Sequence, residues 1–140
     1  MSAEINEFDD QFDEPAIASR IPSGERMYNR IVDFLYDEAE LLDGLKLNEW
    51  MESFTEDLVY QAPVKVTHTR ADKSKPSRTM MHLYEDLDSM KLRIFRVEET
   101  RVAWAEEPRS RTRRLVTNVI VHETEDENEF EVTSYFLVTR

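Results

Sequence analysis

Between Met27 and Leu42 the apolar residues recur at intervals of three and four: Met27, Ile31, Phe34, Leu35, Leu41 and Leu42. That spacing lays an apolar stripe along one side of a helix, with Ser23 placed to cap its start and Gly44 to end it. Tyr28, Tyr36, Asp37, Glu38 and Glu40 fall largely off the stripe and read as a solvated face, with Glu38 and Asp43 the acids that a buried partner would most affect. A second, shorter helix is expected over 47–54, where Leu47, Trp50, Met51 and Phe54 repeat the spacing and Trp50 reads as a core anchor. The period then falls towards two. Val59, Tyr60, Val64 and Val66 mark a strand over 58–67, and Pro63 within it implies a sheet edge or a bulge.

The polar, basic stretch 70–77 reads as a surface loop, and Met80 to Tyr84 as a short extended piece. Leu87, Met90, Ile94 and Val97 restore the helical spacing and predict a third helix over 85–97. Everything after it is strand-like: 100–105, a long strand over 112–123, an acidic turn at 124–128 and a hairpin partner over 129–139. Strict alternation in the long strand sets Leu115, Thr117, Val119 and Val121 on one face and Val116, Asn118, Ile120 and His122 on the other. Helices first and strands afterwards predict an α+β domain, with helices gathered on a mostly antiparallel sheet.

Charge alters this picture at two places. The chain of 140 residues carries 30 acids against 18 bases, a formal net charge of −12. Its first 22 residues include six acids, one base and no period that would bury a face, so 1–22 is expected to be a flexible acidic tail before a domain at 23–140. Phe8, Phe12 and Ile17 offer that tail an alternative role, docking on a neighbouring subunit. The opposite anomaly is the run Arg109, Arg111, Arg113 and Arg114, in which alternation sends Arg111 and Arg113 to one side and Thr112 and Arg114 to the other. Such residues suit carboxylates, on this chain or on a partner. The acidic balance argues against nucleic acid, and no run approaches the ~20 apolar residues of a membrane span, so a cytoplasmic protein is expected.

Candidate chemistry is sparse. No cysteine is present, which excludes thiolate catalysis and any cysteine-held iron–sulfur cluster on these residues. His68, His82 and His122 lie in three separate segments without metal-ligand spacing.

Two stretches together carry a family resemblance. Leu35-Tyr36-Asp37-Glu38-Ala39-Glu40-Leu41-Leu42-Asp43, continued by Trp50, Phe54 and Tyr60, is one. The run from Ala103 to Val119 is the other, with its tryptophan, acidic pair, proline and Ser-Arg-Thr-Arg order. Over about residues 25–140 the chain resembles the small (beta) subunit of bacterial aromatic-ring-hydroxylating dioxygenases, most nearly the phenylpropionate/cinnamate and biphenyl type. The resemblance implies a nuclear-transport-factor-2-like cone of three helices on a curved sheet, whose closing strands are expected to be missing beyond Arg140. It implies a non-catalytic structural subunit with no cofactor or metal of its own, in an alpha-three-beta-three hexamer whose alpha subunit holds a Rieske 2Fe-2S cluster and a mononuclear iron. Beta–beta contacts are implied as well. Trp104, Arg109, Arg111, Arg113 and Arg114 become candidates for the subunit interface or its support. The alternative that the implied fold leaves is a free-standing cone-fold dehydratase, isomerase or cyclase acting on a small molecule in the cup, with Tyr36, Tyr60, Asp37, Asp43 and His68 as its acid–base candidates.

Overall fold

The computed structural model describes residues 19–65, 76–99 and 110–140. In chain order its elements are α1 (Arg26–Asp43), α2 (Leu47–Met51), β1 (Tyr60–Lys65), β2 (Pro76–Glu85), α3 (Leu87–Glu99), β3 (Arg113–Glu123) and β4 (Phe130–Thr139). The described residues divide into two compact units, one of 19–50 with 110–140 and the other of 51–65 with 76–99. Helices with antiparallel strand pairs give the α+β class that the patterning predicts.

In the first unit α1 begins later than Ser23. Pro22 to Glu25 form a turn closed by the Glu25 N–H donating to the Pro22 carbonyl at 3.3 Å, with Gly24 at φ 94°. A left-handed glycine cannot lie inside a helix, so the helix starts at Arg26 and its cap residue, Glu25, makes no side-chain capping bond. The far end falls where the sequence places it, with Gly44 as the C-cap. Gly44 keeps a helical φ of −76°, and it is Leu45, at φ 55°, that takes the left-handed position. The Lys46 N–H donates to the Leu41 carbonyl at 2.8 Å and the Leu45 N–H to that of Leu42 at 3.3 Å, the double closure of a Schellman motif. A Cβ at Gly44 would meet the Glu40 carbonyl at 3.0 Å, a tight contact that glycine avoids.

Along α1 the half-buried residues include Met27, Tyr28, Ile31, Leu35, Glu38, Leu41 and Leu42, while Phe34 is exposed. Tyr28 and Glu38 join them because each has a polar partner. The Tyr28 hydroxyl donates to the Val119 carbonyl at 3.3 Å, and Trp50 Nε1, on α2, donates to Glu38 Oε1 at 3.0 Å. Trp50 is buried, as a core anchor should be.

The hairpin β3–β4 is antiparallel, running from Arg113 opposite Thr139 to Glu123 opposite Phe130. Its register slips between Thr117 and Ile120, where Asn118 adopts φ 52°. One extra residue in β3 reverses the facing of everything beyond it. The expected common face of Leu115 and Val121 is therefore split: Leu115 is 54% exposed and Val121 is 0% exposed. Asparagine tolerates the left-handed conformation better than its β-branched neighbours, which places the bulge at 118.

Ser19 to Ile21 were expected at the end of a flexible tail but run along the other edge of β3. The Glu123 N–H donates to the Ser19 carbonyl at 2.8 Å, the Ile21 N–H donates to that of Val121 at 2.9 Å, and Arg20 bridges to His122. Ile21 is buried beside this pairing; residues 1–18 lie outside the described ones. The turn at 124–128 forms as expected, tied by the Thr124 hydroxyl and the Asp126 carboxylate.

In the second unit β1 pairs with β2, and register shifts on either side of Pro63 mark the irregularity foreseen for that residue. β2 is longer than the extended piece expected and already includes Pro76 and Ser77; residues 66–75 lie outside the described ones. Because Glu85 ends β2 opposite Tyr60, α3 starts two residues later than 85. Asp86 and Ser89 cap it reciprocally: the Ser89 N–H donates to Asp86 Oδ1 at 2.8 Å and the Asp86 N–H to Ser89 Oγ at 2.9 Å. Met90 and Ile94 on the predicted stripe are buried. The strand expected at 100–105 lies outside the described residues.

Candidate functional site

Asp43 is the last residue of α1, where the helix dipole disfavours a carboxylate. It is held there by donors from the entry to β3. Thr112 Oγ1 donates to Asp43 Oδ1 at 2.9 Å, the Arg114 N–H to Oδ2 at 2.7 Å, and Arg114 Nη1 to Oδ1 at 2.5 Å. The Asp43 side chain is 7% exposed and that of Arg114 23%. Burial pushes the Asp43 carboxyl up, but the Arg114 backbone N–H, the Thr112 hydroxyl and the Arg114 guanidinium together hold it below its ordinary value. The result is an internal latch between the end of α1 and the start of β3.

Alternation around the latch gives the outward side its character. With Thr112 and Arg114 turned towards Asp43, Arg111 and Arg113 are exposed, and they form no ion pair among the described residues. They border an open groove of about 640 Å³ that Asp37 and Glu40 line from α1. Lys46 also lines it and is paired with Glu49 at 3.4 Å. Of the interface candidates, Arg111, Arg113 and Arg114 are thus described, the last facing inward, whereas Trp104 and Arg109 lie outside the described residues.

Of the acid–base set, Asp37 and Asp43 line the groove together. Tyr36 and Asp37 are exposed, Asp43 is committed to Arg114, Tyr60 belongs to the second unit and His68 lies outside the described residues. His82 is exposed on β2 and His122 half-buried on β3, in different units, and among the described residues no group of three or more metal-ligating side chains is found. Without cysteine, these residues do not fit a Rieske cluster. The partnership of Asp43 with Arg114 spans 71 positions and escapes any local pattern; the one sequence signal for it is an acid at the wrong end of a helix.

Residues 37–140, which include both sides of the latch and of the groove, match the family model described as the ring hydroxylating beta subunit. The chain belongs to that family. It is 34% identical over 122 residues to the benzene 1,2-dioxygenase subunit beta of Pseudomonas putida, covering 85% of this chain and 65% of that one. It is 38% identical over 117 residues to the 3-phenylpropionate/cinnamic acid dioxygenase subunit beta of Photorhabdus laumondii, covering 81% and 64%. The chain therefore spans somewhat less than two thirds of the length of these relatives. Among solved structures it resembles a naphthalene 1,2-dioxygenase with indole bound in the active site, with a TM-score of 0.64 and 22% identity over 79% of this chain and 58% of that one. That likeness bears on the fold alone, and it agrees with the α+β class of helices with antiparallel strand pairs. No described helix of this family member is long and apolar enough to cross a membrane.

Proposed function

We propose that this chain is the non-catalytic small subunit of a Rieske non-haem iron dioxygenase that cis-dihydroxylates aromatic compounds during their catabolism, and that it supports assembly of the alpha subunit. Family membership supports the reading, together with relatives named as beta subunits of benzene and phenylpropionate dioxygenases. The single observation that carries it to residues is the division of the arginine run. Asp43 neutralises Arg114 internally, and the same strand geometry leaves Arg111 and Arg113 facing outward without a described partner. Guanidinium groups in that condition suit the carboxylates of another subunit. Trp104 and Arg109 are assigned to the same contact or to its support. The 2Fe-2S cluster and the mononuclear iron belong to the alpha subunit, in an alpha-three-beta-three hexamer in the cytoplasm that also uses beta–beta contacts.

Co-expression with a Rieske alpha subunit from the same genome tests this. A stable complex of hexamer mass that oxidises aromatic rings is the expected outcome, with no turnover of small-molecule substrates by this chain alone. Failure of every such alpha subunit to co-purify, or turnover by the isolated chain, would overturn it in favour of a free-standing cone-fold enzyme.

A further inference from the structure

The groove beside the latch has two walls of opposite sign. On the strand side stand Arg111 and Arg113; on the helix side stand Asp37 and Glu40, and all four side chains are exposed. None of the four forms an ion pair among the described residues, although each wall carries the charge that the other lacks. The third acid of the lining, Asp43, is already saturated by Thr112 and Arg114, and Lys46 already has Glu49. What is left for a ligand is two positive groups contributed by the strand entry and two negative groups contributed by α1, lining one groove of about 640 Å³.

We infer that this groove receives a segment of the partner subunit bearing both an acidic and a basic side chain, the acid meeting Arg111 and Arg113 and the base meeting Asp37 and Glu40. The inference rests on the small-subunit reading and adds to it the acidic wall and the chemistry of the occupant. A purely anionic ligand, such as a phosphate or nucleic acid, would bond one wall and be repelled by the other. A mixed-charge peptide satisfies both, and it also gains specificity, because reversing its register would set like charges together. The two walls hold a fixed spacing because the latch ties the end of α1 to the start of β3. The cation and anion positions on the partner are therefore set by this chain's backbone and not by flexible loops.

The test reverses each wall separately, with D37K/E40K and R111E/R113E each co-expressed with the alpha subunit and the complex measured by titration at low and moderate salt. Thermal melts check folding, and since all four residues are exposed they are expected to stay close to wild type. Each reversal is expected to weaken association at least tenfold, with a loss of salt dependence. If only the arginine wall matters, the two-sign inference is overturned while the small-subunit reading stands. If neither wall matters and the complex forms normally, the groove is not the contact. Should the two variants associate with each other but not singly, the occupant is a second copy of this chain, which also overturns the inference. A wild-type chain that binds no alpha subunit overturns the underlying reading instead.

Discussion

The two halves of the β3–β4 hairpin are secured by different physics. Beyond the bulge at Asn118, β3 is flanked by β4 on one edge and Ser19 to Ile21 on the other, and it carries Val121, the most completely buried side chain among the described residues. Before the bulge, Leu115, Tyr135, Phe136 and Leu137 are all more than half exposed, and the strand is tied to α1 by the Asp43 carboxylate. One half is held by burial, the other by charge and hydrogen bonds. The difference teaches that a strand can begin on a polar anchor, keep its outer side exposed, and become core only after a one-residue change of facing.

The sharpest way to break that comparison is to remove the polar anchor alone. Asp43→Asn should cost about 3 kcal/mol, because it leaves the Arg114 guanidinium in a largely enclosed place without its counter-charge. Hydrogen exchange should show the loss as faster opening around Arg114 and Val116, with Val121 protected. Acid should act in the same place. Since the Asp43 carboxyl titrates lower in the folded chain than its ordinary 3.8, its stabilisation is present above that value and is lost as pH falls through the lower folded value. The wild type should therefore lose its front half first below about pH 4, and Asp43→Asn should lack that step.

A second comparison sets equivalent substitutions on either side of the bulge. Val121→Thr buries a hydroxyl and should cost about 2 kcal/mol, while Leu115→Thr should change stability by less than about 0.5 kcal/mol. Equal effects would mean that the two residues share a face and that the slip at 117–120 is absent. The smallest effect concerns the turn that leads out of the latch. At Leu45, glycine should be more stable than alanine by about 1 kcal/mol, since both shed the half-buried side chain but glycine alone relieves the left-handed backbone.

These contrasts show which parts of the molecule were legible in its residues. The stripes Leu87, Met90, Ile94, Val97 and the alternation of β3 are local and periodic, and they gave the helices and the hairpin. The sides taken by Thr112 and Arg114 against Arg111 and Arg113 followed from the same period of two. The bulge was not legible, because an asparagine within a β-branched run alternates as well as any other residue until a register is chosen. Leu45 was hidden by its neighbour: Gly44 ends the helix with a helical φ, and a leucine takes the left-handed position that follows. The latch was half visible, since an acid at a helix C-terminus signals a compensating donor without saying where in the chain it lies.

The central claim is that the arginine run is split between an inward anchor and an outward contact. The most direct measurement pairs thermal melting with alpha-subunit titration for Arg114→Ala and for the double variant R111A/R113A. The account predicts that Arg114→Ala lowers the melting temperature by several degrees, while R111A/R113A leaves melting unchanged and weakens association at least tenfold. A lowered melting temperature with normal association in R111A/R113A would contradict it.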